Sequence, residues 1–406
     1  MHVLVVTDQH PESLGGVQVA LRLQRRFLER LGHRVTIAAP ALHRHDYVTA
    51  TENREAYIDL PSRPITKDRE YGLSWPGART DRALAAALRR LPPVDVVHVQ
   101  GDFWGALVGI RAARGLGAPI VHTMHNHVDE GTRAVTPLAP LVFRALRVWR
   151  RLALGGCRGR VDPGSRGAWR YLAELASEAA AVTAPSRHFA DALEAHGVAP
   201  EVLVTRGGVD DDAIAEVRAL PRSVRDRPKL VWLGRMSQEK RVLEFVEAVS
   251  RSGIDADVAL HGAGLLLPRV QRRIAELGLG DRVSIPGPVP YREALAAMHD
   301  ADALVQTSMG FETQGLTPFE AAALGTPTIF CDPEIADDVS VSPEWRVADG
   351  GVAALADALR DAVASLAADP GSLRVPHAEA ERFLQSTQSA QMLRVYDGVL
   401  RDVPET

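Results

Sequence analysis

Short apolar runs alternate with segments of helical periodicity along the first half of the chain. Segments such as 17–31 and 82–91 repeat their apolar positions with the spacing of amphipathic helices. Strands that alternate with helices form parallel sheets with crossover helices. The pattern therefore predicts a Rossmann-like α/β domain over residues 1–209. Its predicted strands are Val3–Thr7, Arg34–Ala39, Val94–Val99, Pro119–Thr123, Ala180–Ala184 and Glu201–Val204.

A second alternation of the same kind follows a weakly patterned, charged stretch. We interpret that stretch, residues 210–228, as a hinge. The pattern beyond it predicts a second Rossmann-like domain over residues 229–380, and the last segment, 381–406, is expected to return to the first domain as a helix. Predicted strands of the second domain are Lys229–Leu233, Asp257–His261, Arg282–Ile285, Ala303–Gln306 and Thr326–Phe330. Predicted helices cover about 239–252, 266–277, 291–299, 316–324, 351–368 and 377–401.

Composition narrows the class of protein. A chain of 406 residues is long enough for two domains of about 200 residues each. It contains no apolar run of the ~18 residues that a transmembrane helix needs, and no basic leader precedes the first strand, so neither a spanning helix nor a cleaved signal peptide is predicted. Cys157 and Cys331 lie far apart, which indicates a reduced, cytoplasmic protein. The net charge of −4 argues against binding to nucleic acid.

Two glutamates in the second domain are the first candidates for chemistry. Glu312 and Glu320 flank Gly315, which precedes a predicted helix. The free N–H groups of a helix N-terminus suit a phosphate, and carboxylates suit sugar hydroxyls. The alternative is structural, because the segment from Thr317 to Glu320 also has the residues of a capping box with Thr317 at the N-cap. Taken alone, the segment leaves both interpretations open.

Two loops that follow predicted strands are candidates for binding an anion. Gly15-Gly16 opens the helix after the first strand, and glycines let a backbone approach a ligand closely. Gly234, Arg235 and Lys240 follow the first strand of the second domain, where two cations beside a helix entry suit a diphosphate. The alternatives are an ordinary strand-to-helix turn and unengaged surface cations. The first loop has no Gly-x-Gly-x-x-Gly fingerprint, so a dinucleotide cofactor is not predicted.

Three histidines, His122, His125 and His127, stand at the end of a predicted buried strand. A histidine at that end of a parallel strand faces the ligand side of the sheet, where it could bind hydroxyl groups or transfer a proton. A zinc site is the alternative, but only Asp129 adds a further ligand at suitable spacing. We therefore expect a catalytic or substrate-binding role for His125 and no metal.

The segment 138–154 predicts an amphipathic helix with a basic side. Between Glu130 and Asp162 the chain has seven arginines and no acidic residue. Such a helix could lie on an anionic membrane surface or on the acceptor side of the site. The alternative is a domain helix whose basic face is solvated. The apolar side carries Leu138, Leu141, Ala145, Trp149 and Leu152, and the basic side carries Arg144, Arg147 and Arg151.

Together these motifs resemble glycosyltransferase family 4, the retaining nucleotide-sugar transferases of GT-B fold, over nearly the whole chain. The resemblance implies an α/β protein with two doubly wound Rossmann-like domains that face each other across a cleft. It implies that Glu312 faces the donor sugar, that Glu320 binds the ribose, and that Arg235 and Lys240 hold the diphosphate. The other positions that it assigns to the catalytic or donor site are Gly15, Gly16, His125, Gly234, Gly264, Gly315, Leu316 and Thr317, and Pro185-Ser186 match the family's Pro-Ser step.

The resemblance also implies an activity, namely metal-independent transfer of a hexose with no cofactor besides the nucleotide sugar. The expected donor is UDP-glucose or, as a second choice, GDP-mannose. The run Glu-Thr-Gln-Gly-Leu from Glu312 to Leu316 is most similar to members that form glycosyl-diacylglycerols, which favours a lipid-linked acceptor and a peripheral place on the inner face of the membrane. The alternatives are a soluble or polysaccharide acceptor, or a nucleotide-sugar epimerase of the same architecture.

Overall fold

The computed structural model describes residues 1–50, 53–310, 312–369 and 371–401. The chain divides into two compact units. The first contains Met1–Gly207 together with the residues from Gln388 onward, and the second contains Gly208–Thr387. Each unit is built around its own parallel sheet.

The first unit contains a seven-stranded sheet in the order β3-β2-β1-β6-β7-β8-β9, in which neighbouring strands run parallel. Its central strands are buried along their whole length, as expected of a sheet covered on both faces by helices. The strands are β1 (His2–Thr7), β2 (Arg34–Pro40), β3 (Tyr57–Leu60), β6 (Val96–Gln100), β7 (Ile120–Thr123), β8 (Ala181–Ala184) and β9 (Leu203–Val204), and a separate antiparallel pair is formed by β4 (Arg63–Pro64) and β5 (Gly72–Leu73).

Helices fill the connections of this sheet. They are α1 (Gly16–Arg30), α2 (Ala78–Leu88), α3 (Trp104–Leu116), α4 (Val128–Val135), α5 (Ala139–Leu154), α6 (Gly167–Ala176) and α7 (Arg187–Ala195). Because the strands are parallel, their carboxyl ends lie at one edge of the sheet. That edge carries the loops after β1, β6, β7 and β8, and thus the candidate residues Gly15, His125 and Ser186.

The second unit contains a six-stranded parallel sheet in the order β12-β11-β10-β13-β14-β15. Its strands are β10 (Lys229–Leu233), β11 (Asp257–His261), β12 (Val283–Gly287), β13 (Ala303–Gln306), β14 (Thr328–Phe330) and β15 (Glu344–Arg346). Its helices are α8 (Asp211–Arg218), α9 (Val242–Ser252), α10 (Leu267–Glu276), α11 (Tyr291–Asp300), α12 (Leu316–Ala323), α13 (Pro333–Val339), α14 (Val352–Ala368) and α15 (His377–Ala380). A single-turn 3₁₀ helix, Gln238–Lys240, precedes α9.

The last helix, α16 (Gln385–Arg401), packs on the first sheet with three buried side chains, Met392, Tyr396 and Val399. The sequence predicts one helix over 377–401, whereas the structure breaks it after α15 into a 3₁₀ turn, Glu381–Phe383, and an extended residue, Leu384. Leu384 forms an isolated parallel bridge with Val209, which ends the helical hydrogen bonding there. The final five residues of the predicted segment 381–406 lie outside the described residues.

The predicted hinge 210–228 is not an unstructured linker. Its first part is α8, whose N-cap Asp210 accepts hydrogen bonds from the backbone of Asp212 and Ala213, and whose apolar side is buried in the second unit. Its second part is held by ion pairs, since Arg222 contacts Asp302 at 2.7 Å. The pattern was weak because α8 is short and the chain from 219 to 228 forms neither helix nor strand and is fixed by charge rather than by apolar contacts. The segment therefore belongs to the second unit.

No helix among the described residues is long and apolar enough to cross a bilayer.

Candidate functional site

A pocket opens in the second unit at the carboxyl ends of β10 and β13. Ligands of open parallel sheets bind at this edge. Of the residues that line the pocket, those predicted from the sequence are Lys240, Glu312, Gly315 and Thr317. The fold thus brings together one cation, one carboxylate and one helix N-terminus, which come from segments more than 70 positions apart.

Lys240 and Glu312 are joined directly in this pocket. The ammonium of Lys240 contacts Oε1 of Glu312, and the same oxygen accepts a hydrogen bond from the Ser308 hydroxyl at 3.1 Å. The Lys240 backbone is held in turn, because its carbonyl accepts a hydrogen bond from Thr307 at 2.5 Å. Both charged side chains are partly buried, and their contacts with each other and with Ser308 hold them in the pocket.

The N-terminus of α12 forms one wall of the pocket. The helix begins at Leu316, and its N-cap is Gly315, which has no side chain with which to cap the first turn. The capping box predicted with Thr317 at the N-cap is therefore wrong. Gly315 adopts φ 70°, a left-handed conformation that glycine accepts without strain, and this lets the helix start before Thr317. The amides of Leu316 and Thr317 lie in the first turn, where they have no partner within the helix.

Glu320 lies on α12 but not in the pocket lining. Its carboxylate accepts a hydrogen bond from the Tyr291 hydroxyl, at the start of α11. Desolvation by the surrounding protein raises the pKa of Glu320 to about 7, although the Tyr291 hydrogen bond acts in the opposite direction. Desolvation of its hydroxyl and the charge of Glu320 raise the pKa of Tyr291 above its usual range, although the residue as a whole is exposed. The tyrosine therefore keeps its proton and is the donor.

Arg235 is placed differently from Lys240. Its side chain is 78 % exposed and pairs with Glu239 at 3.4 Å. Burial opposes ionisation of Glu239, but a hydrogen bond from Ser237 and the charges of Arg235 and Lys240 lower its pKa overall. Both cations therefore lie near one carboxylate, yet only Lys240 lines the pocket.

The loops after β10 and β11 are joined backbone to backbone. The amide of Met236 donates to the carbonyl of Ala263 at 2.8 Å, and that of Gly234 donates to His261 at 3.1 Å. A Cβ at Gly264 would stand 2.5 Å from the Met236 carbonyl oxygen. In this structure Gly264 supports the Gly234 loop through this close approach and does not line the pocket itself.

Arg241 is a residue that sequence reasoning missed. Its backbone has φ 51° at the N-cap of α9. Its guanidinium donates to Sδ of Met309 at 2.6 Å and to the Gly350 carbonyl, and it is 3.4 Å from the Thr307 carbonyl. It thereby supports the loop that carries Ser308. The only signal in the sequence was an arginine directly after Lys240. That signal did not distinguish a role in supporting the loop from a role in binding a ligand.

The first unit holds a second group of polar residues around His125. Its Nε2 is 2.5 Å from Oε1 of Gln100, and its backbone amide donates to Asp102 at 3.0 Å. Burial lowers the pKa of His125 to about 4, so the ring is neutral at pH 7. The other histidines of the motif have separate contacts: His122 Nε2 lies 2.8 Å from the Gly101 carbonyl, and the ring of His127 packs against Phe189.

Asp102 and Asp8 are buried carboxylates that organise this end of the sheet. One oxygen of Asp102 accepts hydrogen bonds from the amides of His125 and Asn126 and from the Asn126 side chain. Asp8 accepts from three amides at the start of α3, including Gly105 at 2.7 Å. Burial and the neighbouring Asp102 charge raise the pKa of Asp8 to about 7. Neither aspartate was singled out from the sequence.

Gly15 and Gly16 stand at the start of α1 as predicted from the pattern. Gly15 is the N-cap and has no side chain with which to cap this helix. A Cβ at Gly15 would overlap the Gln18 side chain. Ser186, of the Pro-Ser step, caps α7 by accepting a hydrogen bond from the Phe189 amide at 3.2 Å.

The side of helix α5 that is buried differs from the apolar side that the spacing of its residues predicts. Its buried residues are Ala139, Phe143, Arg150 and Leu154. Four apolar side chains are more than half exposed: Leu138, Leu141, Val148 and Leu152. Arg144 and Arg151 are exposed beside them, whereas Arg147 is hydrogen-bonded to Glu174 at 3.0 Å and Trp149 packs against Trp75. The predicted basic face is thus divided between solvent and a structural ion pair.

In the described ranges, no group of three or more histidine, cysteine, aspartate or glutamate side chains is arranged to hold a metal ion.

Two family models match the chain in succession. Glycosyltransferase Family 4 matches residues 14–213, and Glycosyl transferases group 1 matches residues 214–373. Among similar proteins, a phosphatidyl-myo-inositol mannosyltransferase of Mycobacterium leprae is 30 % identical over 95 % of this chain and 93 % of its own. A 2-deoxystreptamine N-acetyl-D-glucosaminyltransferase of Streptomyces fradiae is 28 % identical over 87 % of this chain and 83 % of its own. An alpha-monoglucosyldiacylglycerol synthase of Streptococcus pneumoniae is 24 % identical over 81 % of this chain and 70 % of its own.

Solved structures show the same fold. Sucrose-phosphate synthase of Thermosynechococcus elongatus superposes with a TM-score of 0.70 at 20 % identity, covering 98 % of this chain and 99 % of that one. An Anabaena protein in complex with UDP and glucose superposes with a TM-score of 0.64 at 17 % identity, covering 98 % and 100 %. The predicted α/β architecture of two Rossmann-like domains, the GT-B fold, is confirmed.

Proposed function

Since the chain belongs to glycosyltransferase family 4 and is a glycosyltransferase, we propose that it moves a hexose from a nucleoside diphosphate sugar to an acceptor hydroxyl with retention of configuration. The observation that carries this proposal is the pocket of the second unit, where Lys240, Glu312 and the N-terminus of α12 meet. A cation and free amides suit a diphosphate, and a fixed carboxylate suits the hydroxyls of the sugar attached to it.

Lys240 is assigned to the leaving diphosphate. An ammonium has three N–H donors, so Lys240 can keep its contact with Glu312 and still donate to a phosphate oxygen. A fixed positive charge favours the step in which negative charge builds up on the departing oxygen. The amides of Leu316 and Thr317 add two further donors with the favourable end of the helix dipole.

Arg235 is assigned to the same diphosphate from the solvent side. Its pair with Glu239 is exposed, and exposed ion pairs contribute only about 0–1 kcal/mol. Exchange of this partner for a phosphate therefore costs little. Gly234 and Gly264 fix the loop from which Arg235 and Lys240 extend.

Glu312 and Glu320 are assigned to binding and not to acid–base catalysis. Glu312 would accept hydrogen bonds from the sugar, and Glu320, with Tyr291, would accept those of the ribose. In retaining transfer of this kind the bond from the anomeric carbon to the phosphate oxygen breaks while the acceptor oxygen bonds to the same face. The acceptor proton passes to the departing phosphate, so neither a covalent nucleophile nor a metal is required.

The first unit is assigned to the acceptor, with His125 as the polar contact at the end of β7. A histidine that stays neutral can exchange hydrogen bonds with a hydroxyl without placing a charge beside it. The Gly15-Gly16 turn supplies a backbone that a ligand can approach closely.

We propose a lipid-linked acceptor at an anionic membrane surface, because α5 exposes a row of apolar side chains next to Arg144 and Arg151. A helix with such a surface lies in a bilayer interface, with its apolar side chains inserted and its cations at the headgroups. The M. leprae relative is named for phosphatidyl-myo-inositol and the S. pneumoniae relative for alpha-monoglucosyldiacylglycerol, both of them lipids, which agrees with this choice. The S. fradiae relative is named for an aminocyclitol, which keeps the soluble acceptor as the competing case.

The test is a partition assay with radiolabelled UDP-glucose and GDP-mannose as donors. Each donor is offered with anionic vesicles that contain diacylglycerol or phosphatidylinositol, and separately with 2-deoxystreptamine. We expect label in the organic phase with one donor and one lipid. Label only on the soluble acceptor would disprove the lipid assignment and leave the transferase assignment intact. Absence of label on every acceptor would count against transfer to either class.

A further inference from the structure

The two ring nitrogens of His125 have different surroundings. Nε2 lies 2.5 Å from Oε1 of Gln100. Across the described residues, Nδ1 makes no hydrogen bond. A neutral imidazole carries one proton, and the nitrogen that carries it is set by the partner of the ring. The tautomer of His125 therefore depends on whether Gln100 turns its carbonyl or its amino group toward the histidine.

Buried neighbours determine the orientation of the Gln100 amide. The fully buried hydroxyl of Tyr396 lies 2.7 Å from Nδ1 of His98, and among the described residues this is its only hydrogen bond. Burial raises the pKa of Tyr396 well above its usual range, so the hydroxyl keeps its proton. A buried donor without an acceptor is costly, and Tyr396 must therefore donate to His98.

This donation makes Nδ1 of His98 an acceptor. Burial lowers the pKa of His98 to about 3, so its ring is neutral and the proton is on Nε2, which lies 2.7 Å from the Thr123 hydroxyl. The Gln100 group at 3.5 Å from Nδ1 of His98 must then be the amino group. The same amino group donates to Oε1 of Gln24 at 3.0 Å. The carbonyl of Gln100 is left to face His125.

We propose that Gln100 is a positioning residue that holds His125 as the Nε2–H tautomer and so leaves Nδ1 as a hydrogen-bond acceptor for a substrate hydroxyl. The order of contacts runs from Tyr396 on α16 through His98 and Gln100 to His125, all within the first unit. The two orientations of Gln100 differ only by a side-chain flip. The flipped one would place the Gln100 carbonyl against the acceptor Nδ1 of His98, and a change of the His98 tautomer that relieved this would leave the Tyr396 proton without an acceptor.

The tautomer gives His125 a defined chemical role. An unprotonated Nδ1 accepts a hydrogen bond and cannot donate one, so His125 can orient a hydroxyl through its hydrogen and leave the oxygen lone pairs free. A histidine with Nδ1–H would bind the oxygen instead and withdraw those lone pairs from attack. This role rests on the proposed transfer reaction, whereas the tautomer itself does not.

The test is ¹⁵N NMR of protein labelled at histidine, with the His125 signals identified by their loss in His125→Asn. We expect one protonated Nε2 and one unprotonated Nδ1 for His125. Two other histidines serve as internal references. His122, whose Nε2 faces a carbonyl, should show the same tautomer, and His196, whose Nδ1 lies 2.8 Å from the Ala192 carbonyl, should show the opposite one. A protonated Nδ1 at His125 in the unaltered protein would overturn the proposal.

Two variants separate positioning from packing. Gln100→Leu removes the acceptor and should give His125 a mixture of tautomers, while Gln100→Glu, which can only accept, should keep Nε2–H. His122 and His196 should be unchanged in both. If Gln100→Leu leaves the His125 tautomer unaltered, Gln100 does not set it. If Gln100→Leu does not fold, the measurement on the unaltered protein still decides.

Turnover adds a second readout. Gln100→Leu should lower kcat by roughly 10-fold or more, the typical effect of losing the partner that orients a functional histidine, with the donor KM little changed. In Gln100→Glu, kcat should lie between that of Gln100→Leu and that of the unaltered protein. A protein that shows the predicted tautomer but transfers no sugar would contradict the proposed function and not the tautomer.

Discussion

Lys240 and Glu312, 72 positions apart in the chain, form an ion pair inside the pocket of the second unit. Their side chains are 25 % and 17 % exposed, so both charges are partly shielded from solvent. Burial of an ion pair carries a desolvation cost that offsets much of the attraction between its charges, so the pair by itself is weak evidence for stability. The pair joins the loop after β10 to the loop before α12, and the donor is expected to bind between them.

Removal of the Lys240 charge is the most direct change to this pair. Lys240→Ala should lower turnover by about 100- to 1000-fold, the usual effect of deleting one contact to developing charge. Glu312→Gln should also lower turnover, and the double variant should lose less than the product of the two single losses, since the residues act together. Steady-state kinetics of the three variants measure this coupling.

A matched control is the ion pair of Arg273 and Glu247, which lies between α10 and α9 and outside the pocket lining. Arg273→Ala should leave turnover within about 2-fold of the unaltered protein, as expected for an exposed pair. Equal losses in Lys240→Ala and Arg273→Ala would mean that the effect comes from stability and not from the site.

Glu320 makes the stability of the second unit depend on pH. Its pKa is raised from an ordinary 4.5 to about 7 in the folded protein, so the folded state binds the proton more tightly than the unfolded state. The stability that comes from this proton is fully present below pH 4.5 and is lost as pH rises to 7. Glu320→Gln stays neutral at every pH. Its free energy of unfolding relative to that of the unaltered protein should therefore rise by on the order of 2–3 kcal/mol as the pH increases from 4.5 to 7. Thermal unfolding midpoints at several pH values measure the difference, and parallel pH curves would contradict the assignment.

The glycine at position 264 is expected to matter through the loop it supports. Gly264→Ala should displace the Met236 backbone and weaken donor binding, because the added Cβ would stand 2.5 Å from a carbonyl oxygen. Gly280→Ala is the control, since a Cβ there meets nothing within 4 Å. Titration of each variant with UDP and GDP measures the effect. Equal affinity in both variants would show that the loop after β10 does not hold the donor.

The exposed face of α5 gives a separate prediction. Arg144→Gln with Arg151→Gln should weaken binding to anionic vesicles by roughly 30-fold, since each arginine near such a surface contributes about 1 kcal/mol. Leu141→Ser with Leu152→Ser should weaken binding to anionic and neutral vesicles alike. Arg89→Gln with Arg90→Gln, two exposed arginines of the same unit, is the matched control. Equal vesicle sedimentation for all three pairs of substitutions would contradict the proposal that α5 binds a membrane surface.

The sheets were predictable because buried parallel strands are continuous apolar runs. β10, β11 and β13 begin and end where the pattern predicts them. The edge strands β3 and β15 were missed, since edge positions are partly exposed and their residues are mixed in polarity. The segment 210–228 had a weak pattern for a related reason, because ion pairs rather than apolar contacts fix the chain after α8, and its role as a hinge stays a prediction.

The candidate site was predictable only as far as local motifs extend. Each of the two residues Lys240 and Glu312 was predicted from its own local motif. Their contact could not be predicted, because it depends on two loops that meet at the edge of a sheet. Tyr291 at Glu320 and Gln100 at His125 carry no local signal, since their partners lie 29 and 25 positions away. At α12 the predicted start at residue 316 is confirmed, but the alternative capping box with Thr317 at the N-cap is not formed, because Gly315 is the N-cap.

The most direct test of the donor assignment follows single nucleotide sugars by NMR in the absence of acceptor, with UDP-glucose and GDP-mannose first. The unaltered protein should slowly release free nucleoside diphosphate and the sugar in the donor's own anomeric configuration, and Lys240→Ala should not. Release of the opposite anomer would contradict retention. A donor that changes a stereocentre of its sugar without release would identify an epimerase, and a full panel of donors left intact would contradict the central claim.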